Sequence, residues 1–359
     1  MSGGHDPAAP LGESSLRALL EAFAVGDALG MATEFMTRAE ISDRFGLVDT
    51  FIEPAFSKNH SDLAKARVTD DTEQVIALLD EYCEKGRIDP RETAERLLLW
   101  VKESGAIEKR YIGPSSKAAL QAIAGGADPS KTGRGGTTCG GVMRSPAAVL
   151  FALCNDLPID ASVQACLLPT HNTRPALESA AAFAYALKEA LSGGDALATI
   201  AAAQKGASVG AAMAPWELCG PSLSSRLEHF RSIATQFQGP GAVLDFLYRV
   251  YGTGLESVDV AAAALCIHFY APLDTWLCLR MGASVGGDTD TIAALAGILS
   301  AASRAAIGKP HNIPAEILAE VLAANSLNLA SIASRLASGS SFVAAGGLGG
   351  GMSGMRRDS

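Results

Sequence analysis

Two short acidic segments carry most of the chemistry that the residue types of this chain can support. Val68-Thr-Asp-Asp-Thr-Glu73 and Gly286-Gly-Asp-Thr-Asp-Thr-Ile292 each place paired carboxylates and hydroxyls just before an apolar run with helical spacing. Acidic residues at a helix start are ordinary, because the first N–H groups and the helix dipole favour negative charge. That explains one or two carboxylates per segment. Asp70, Asp71, Asp288 and Asp290 together would repel one another if the two helix starts converge, and a hard divalent cation removes that cost. Mg²⁺ and Mn²⁺ take oxygen donors, and Thr69 and Thr291 add neutral ones. Neither segment has the spacing of a calcium-binding EF-hand loop, and no His-rich or Cys-rich set suggests zinc.

Other segments offer weaker chemistry. Gly133-Arg-Gly-Gly-Thr-Thr-Cys-Gly-Gly141 is flexible enough for its backbone N–H groups to approach a phosphate, or it is a plain connection. Tyr111 and Ser115–Ser116 precede a helix, where hydroxyls and amides bind phosphate or simply cap. His171 sits in a polar turn as a pocket residue or as a loop histidine without chemistry. Met143 and the Ala-rich face at 180–190 read as core, and His5, His60, His229, His268 and His311 receive no role.

The elements that must position these residues are helices. Apolar residues make up 48% of the 359, yet only 6% are aromatic, and Ala and Leu dominate, which favours helix over sheet. Ser14–Gly30 puts Leu16, Leu19, Leu20, Phe23 and Ala24 on one face and stops at glycine. Thr72–Cys83 carries Val75, Ile76, Leu78, Leu79 and Tyr82 at helical spacing, and Pro90–Lys102 opens with Asp89 as N-cap and Pro90 behind it. The pattern predicts further helices over 115–124, 145–154, 160–167, 175–191, 195–213, 223–237, 241–250, 257–269, 271–282, 289–306, 314–323 and 328–337. The fold class is all-α, a compact single-domain helical bundle over 14–337. Residues 1–13 read as a mobile segment and 338–359 as a Gly-rich disordered tail.

The formal net charge of −9, with no basic block, argues against nucleic-acid binding by phosphate neutralisation. The seven cysteines show no Cys-x-x-Cys pair and fall mostly in apolar runs, so they read as buried reduced thiols of a cytoplasmic protein. The N-terminus has no signal-peptide pattern, and no apolar run is long enough for a membrane span. Oligomeric state is open.

These segments resemble the ADP-ribosylglycohydrolase family, in order and over roughly Leu16 to Ala337. The specific pieces are Gly26-Asp-Ala-Leu-Gly30 with Glu34, Thr69-Asp-Asp-Thr72 and Gly286-Gly-Asp-Thr-Asp-Thr291; Tyr111-Ile-Gly-Pro-Ser-Ser116, Gly140-Gly-Val-Met-Arg144 and Thr170-His171 are weaker matches. The resemblance implies an orthogonal helical bundle holding two Mg²⁺ or Mn²⁺ ions. Its metal ligands would be Thr69, Asp70, Asp71, Asp288, Asp290 and Thr291, with Asp70 bridging. Glu34, Asp70 and Asp71 would be catalytic, and Tyr111, Gly113, Ser115, Ser116, Gly140, Gly141, Met143 and His171 would contact substrate. The implied reaction is hydrolysis of the glycosidic bond between ADP-ribose and a protein side chain or small acceptor.

The chain departs from the family where Asn usually lies between glycines before Met-Arg, carrying Cys139-Gly140-Gly141, and at Thr173, where many members have a second histidine. Those departures keep a smaller nucleoside-like N- or O-glycoside open as substrate. A non-catalytic ADP-ribose reader and a crystallin-like structural relative are the readings from other classes.

Overall fold

Among residues 11–108 and 111–346, which the computed structural model describes (side chains through Gly339), seventeen α-helices follow one another with no strand. The first half contains α1 (Glu13–Gly30), α2 (Arg38–Phe45), α3 (Asp70–Lys85), α4 (Pro90–Ser104), α5 (Pro114–Ala124), α6 (Pro129–Thr132), α7 (Gly140–Cys154) and α8 (Ile159–Leu167). Next come α9 (Arg174–Leu191), α10 (Ala196–Met213), α11 (Leu223–Ile233), α12 (Pro240–Phe246) and α13 (Ser257–Tyr270). The last are α14 (Thr275–Ser284), α15 (Thr289–Ala306), α16 (Ala315–Asn325) and α17 (Leu329–Gly346).

α15 is the centre of the molecule. Every residue from Thr289 to Ser303 is buried, and α1, α9, α13 and α14 pack around it. α1 approaches closely because its glycines allow it. A Cβ on Gly26 would lie 2.6 Å from the Ala293 carbonyl carbon, and one on Gly30 would lie 2.4 Å from the Thr289 oxygen. Spaced four apart, the two glycines share a face of α1 and let the helix backbones touch. Asp27 lies between them, on the helix that meets the start of α15.

Several sequence expectations change. α2 was not anticipated: its only buried residue is Ile41, so it has little apolar periodicity, although Thr37 and Glu40 form a full capping box. α7 starts at Gly140 rather than 145, and α14 at Thr275 rather than 271, where Asp274 accepts the cap bond from Leu277 N. The stretch 241–250 is α12 followed by a π-turn over Leu247–Tyr251. α17 runs on to Gly346, past the position where the sequence suggests a tail; residues 1–10 and 347–359 of the two terminal expectations lie outside the described residues. No single helix among the described residues is long and apolar enough to cross a membrane. Of the cysteines, five are buried, Cys83 is half-buried and Cys219 is exposed, and none forms a disulfide.

Candidate metal centre and active site

The start of α3 is held by a carboxylate from another helix. Asp27 of α1 accepts from Thr69 N (2.9 and 3.0 Å), Thr69 Oγ1 (2.8 Å) and Thr72 N (3.0 Å). It thereby satisfies amides that a helix N-terminus leaves open. Burial raises its pKa to about 6 even though these bonds oppose the shift. Thr69 is the N-cap of α3, and donating its hydroxyl proton to Asp27 leaves oxygen lone pairs for another partner.

The start of α15 is set by a glycine turn. Gly286 and Gly287 have φ of 85° and 82°, and a Cβ on Gly287 would sit 1.9 Å from the Thr253 carbonyl oxygen. Only glycine fits there. Gly287 N donates to Met36 O (3.0 Å), Phe35 N donates to Gly287 O (2.7 Å), and Asp288 N donates to Thr253 O (2.8 Å). The turn therefore fixes Glu34 and Asp288 in one neighbourhood.

The two acidic segments meet. Glu34, Asp70, Asp71, Asp288, Asp290 and Thr291 line one depression with a cavity volume of about 50 Å³. That is room for one or two water-sized groups, at roughly 30 Å³ per liquid water. Asp71, Asp288, Asp290 and Glu34 are buried, while Asp70 is partly open at the mouth. Burial, and then one another's charges, push Asp70, Asp71 and Asp290 well above the usual carboxylate range, and burial raises Asp288 to about 6. Asp71 Oδ2 and Asp288 Oδ2 have no hydrogen-bond partner. Buried acceptors are normally satisfied. Orphaned carboxylate oxygens crowded into a small cavity fit a hard divalent cation.

Beside these ligands lies a group that the sequence did not single out. His60 Nε2 is 2.6 Å from Glu34 Oε2, and Asn59 Nδ2 donates to the same oxygen at 3.0 Å. Burial disfavours a charged His60, but the bond to Glu34 and its charge outweigh that and raise the pKa. Glu34, His60 and Asp290 present possible ligand atoms within 4.8 Å of one another.

A second chain of contacts runs from Asp70 into the core. Gln74 Nε2 donates to Asp70 Oδ2 (2.9 Å), and its amide oxygen accepts from Arg144 Nη1 (2.7 Å). Arg144 is fully buried, and its other partners are also neutral: Thr170 Oγ1, His171 Nδ1 at 3.0 Å and Ser116 Oγ at 3.5 Å. A guanidinium can only donate, so His171 Nδ1 accepts and the ring proton is on Nε2, facing Thr138 Oγ1 at 3.2 Å. Burial, then Arg144, lowers the His171 pKa well below its usual value. His171 is a neutral donor.

Gly113, Ser116, Gly140 and Met143 line the carboxylate depression, and Tyr111 lines the neighbouring one. Ser115, Gly141 and His171 line neither. His171 is buried behind Gly140, where an added Cβ would meet its Cε1 at 2.9 Å, and Gly141 packs on Leu167 and His171. The glycine loop packs closely: Cβ atoms on Gly133 and Gly136 would strike Leu168 O at 2.4 Å and Thr170 O at 2.1 Å. Cys139, where the family pattern departs, also lines the depression, and burial, then the charge of Asp288, raises its pKa well above the usual thiol value. Its amide donates to Leu255 O at 2.7 Å, which ties this loop to the segment before α13.

The chain is similar to known proteins along most of its length. The chain is 31% identical to uncharacterized protein YegU of Escherichia coli, over 88% of this chain and 93% of that one. It is 27% identical to the ADP-ribosyl-[dinitrogen reductase] glycohydrolase of Rhodospirillum rubrum, over 78% of this chain and 82% of that one. A solved structure described as an ADP-ribosylglycohydrolase-related protein complex shares the fold, with a TM-score of 0.67 and 24% identity, covering 91% of this chain and 98% of that one. The ADP-ribosylglycohydrolase family profile matches residues 10–342, nearly the whole described chain, and the chain belongs to that family of glycosyl hydrolases.

Proposed function

We propose that this chain is a divalent-cation-dependent hydrolase that cleaves the bond at the anomeric carbon of a ribosyl group. The substrate is an ADP-ribosylated protein or a small ADP-ribosyl or nucleoside-like compound. The observation that carries this reading is the convergence of Asp70 and Asp71 with Asp288 and Asp290 around orphaned carboxylate oxygens. Thr69, Asp70, Asp71, Asp288, Asp290 and Thr291 would hold two Mg²⁺ or Mn²⁺ ions, whose oxygen-only preference suits this donor set. Bound there, the cations supply Lewis acidity toward the sugar hydroxyls and a water.

The side chains do the rest. Glu34, oriented by His60 and Asn59, takes a proton from the attacking water. The water's hydroxyl joins the anomeric carbon, the glycosidic bond breaks, and the leaving atom keeps the bonding pair and gains a proton. The carboxylates stabilise positive charge that develops on the sugar.

The test is release of ADP-ribose or ribose from arginine-linked, serine-linked and nucleoside substrates, with chelator and with added Mg²⁺ or Mn²⁺. Turnover should require the cation, and Asp70→Asn combined with Asp288→Asn should fold yet neither bind cation nor turn over. Full activity of the double variant would remove the reading.

A further inference from the structure

A second depression, of about 220 Å³, adjoins the first and shares Glu34, Asp70, Gly113 and Leu255 with it. Its remaining walls are of another kind: rings from Phe35 and Tyr111, and aliphatic surface from Ile112 and Pro114. Asn59 and His60 supply its polar edge. Among the described residues, neither depression is lined by lysine or arginine.

Both rings are held in place. Phe35 has φ of 60°, in the left-handed region that a bulky residue seldom enters, and is 38% exposed. The hydrogen bond that its backbone N–H donates to Gly287 O fixes this backbone conformation through the same turn that carries Asp288. Tyr111 donates its hydroxyl to Glu73 Oε1 at 2.7 Å, and Trp100 Nε1 donates to the other Glu73 oxygen at 3.0 Å. The edge of the Tyr111 ring meets His60 at 6.2 Å between centroids. A strained, solvent-facing aromatic beside a catalytic carboxylate is a surface that a ligand would cover.

We infer that this second depression is the leaving-group subsite, and that it takes a planar, uncharged nucleobase, making N-ribosides of purines or pyrimidines substrates of the chain. The inference rests on the carboxylate depression being the ribose-cleaving centre. A base offers two apolar faces to rings and a hydrogen-bonding rim to an amide and an imidazole. A phosphate beside Glu34 and Asp70 would meet like charge, and among the described residues lining the two depressions no cationic side chain stands opposite it. A guanidinium would seek Glu34, whose Oε2 is already engaged by His60 and Asn59. The reaction balances without a co-reactant: water's hydroxyl joins C1, the C1–N bond breaks, and the base nitrogen keeps the electron pair and takes the water's remaining proton.

The experiment pairs turnover with binding on the full chain. Inosine, adenosine and uridine are incubated with the Mg²⁺- or Mn²⁺-loaded protein alongside ADP-ribosyl-arginine, and freed base is measured by chromatography. Free hypoxanthine and adenine are titrated by calorimetry, with and without cation, into the wild type, Phe35→Ala and Phe35→Tyr, each first shown to fold by its melting curve. Expected are base release from a riboside, base binding weakened about tenfold by Phe35→Ala, and binding retained by Phe35→Tyr, which keeps the ring. Base that fails to bind, or binds Phe35→Ala as well as wild type, overturns the subsite, even where ADP-ribosyl-arginine is cleaved and the ribose-cleaving centre stands. Phe35-dependent base binding without hydrolysis of any riboside or ADP-ribosyl compound supports the subsite and instead sinks the centre.

Discussion

Asp288 illustrates how the site sets stability against function. Its Oδ2 is buried without a donor and surrounded by Glu34, Asp71 and Asp290. Asp288→Asn removes one charge from this crowd, so the cation-free protein should melt at the same temperature or a few degrees higher, roughly 2–4 °C. Cation affinity and turnover should fall about a hundredfold or more. Calorimetry with Mn²⁺ and a thermal melt check both halves, and a large loss of stability would show the carboxylate to be structural. Gln74 acts one step back: Gln74→Leu leaves Asp70 and Arg144 without their shared amide and should weaken cation binding about 10–100-fold. The sequence reveals Asp70, Asp71, Asp288 and Asp290 because each pair stands before an apolar run. It does not reveal His60, which has no spacing relation to Glu34, nor Asp27, which serves a helix far away in the chain. Only packing relates them.

At the scale of the element, the juxtaposition of α1 and α15 determines whether the site exists. Gly30→Ala would put a methyl 2.4 Å from the Thr289 oxygen, against backbone that cannot yield as a flexible side chain would. We expect a loss of about 1–3 kcal/mol in urea denaturation, with reduced cation affinity because Thr289 lies between Asp288 and Asp290. Ala28→Gly, also buried on the same helix, should cost the helix penalty plus one buried methyl, about 1–2 kcal/mol, and leave affinity intact. Most helices are legible from their 3.6-residue apolar period. α2 is not, since it buries one residue, and the start of α7 is not, since its glycines read as a phosphate-cradling loop. Their use is to let α7 lie against residues 167–171.

The whole molecule should respond to pH through its buried carboxylates. Asp27 and Asp288 have pKa values of about 6 against 3.8 for the ordinary group, so the folded cation-free protein holds protons that the unfolded chain has shed. Their contribution to stability is complete below about pH 4 and is lost as pH rises through 6. A cation bound by Asp288 would displace its proton, so the rise in melting temperature given by Mn²⁺ should be larger at pH 7 than at pH 5. Equal rises at the two pH values would contradict the linkage. The helical class and single-bundle organisation follow from an Ala- and Leu-rich composition, whereas the joining of two remote acidic stretches depends on a close helix crossing that no local pattern displays. That crossing also sets an order of events in the cell. A ribosome that has delivered α3 has made only half of the proposed cation site, and the other half arrives only with α15. On the proposed reading, the site could take up cations only once α15 has emerged and packed among α1, α9, α13 and α14.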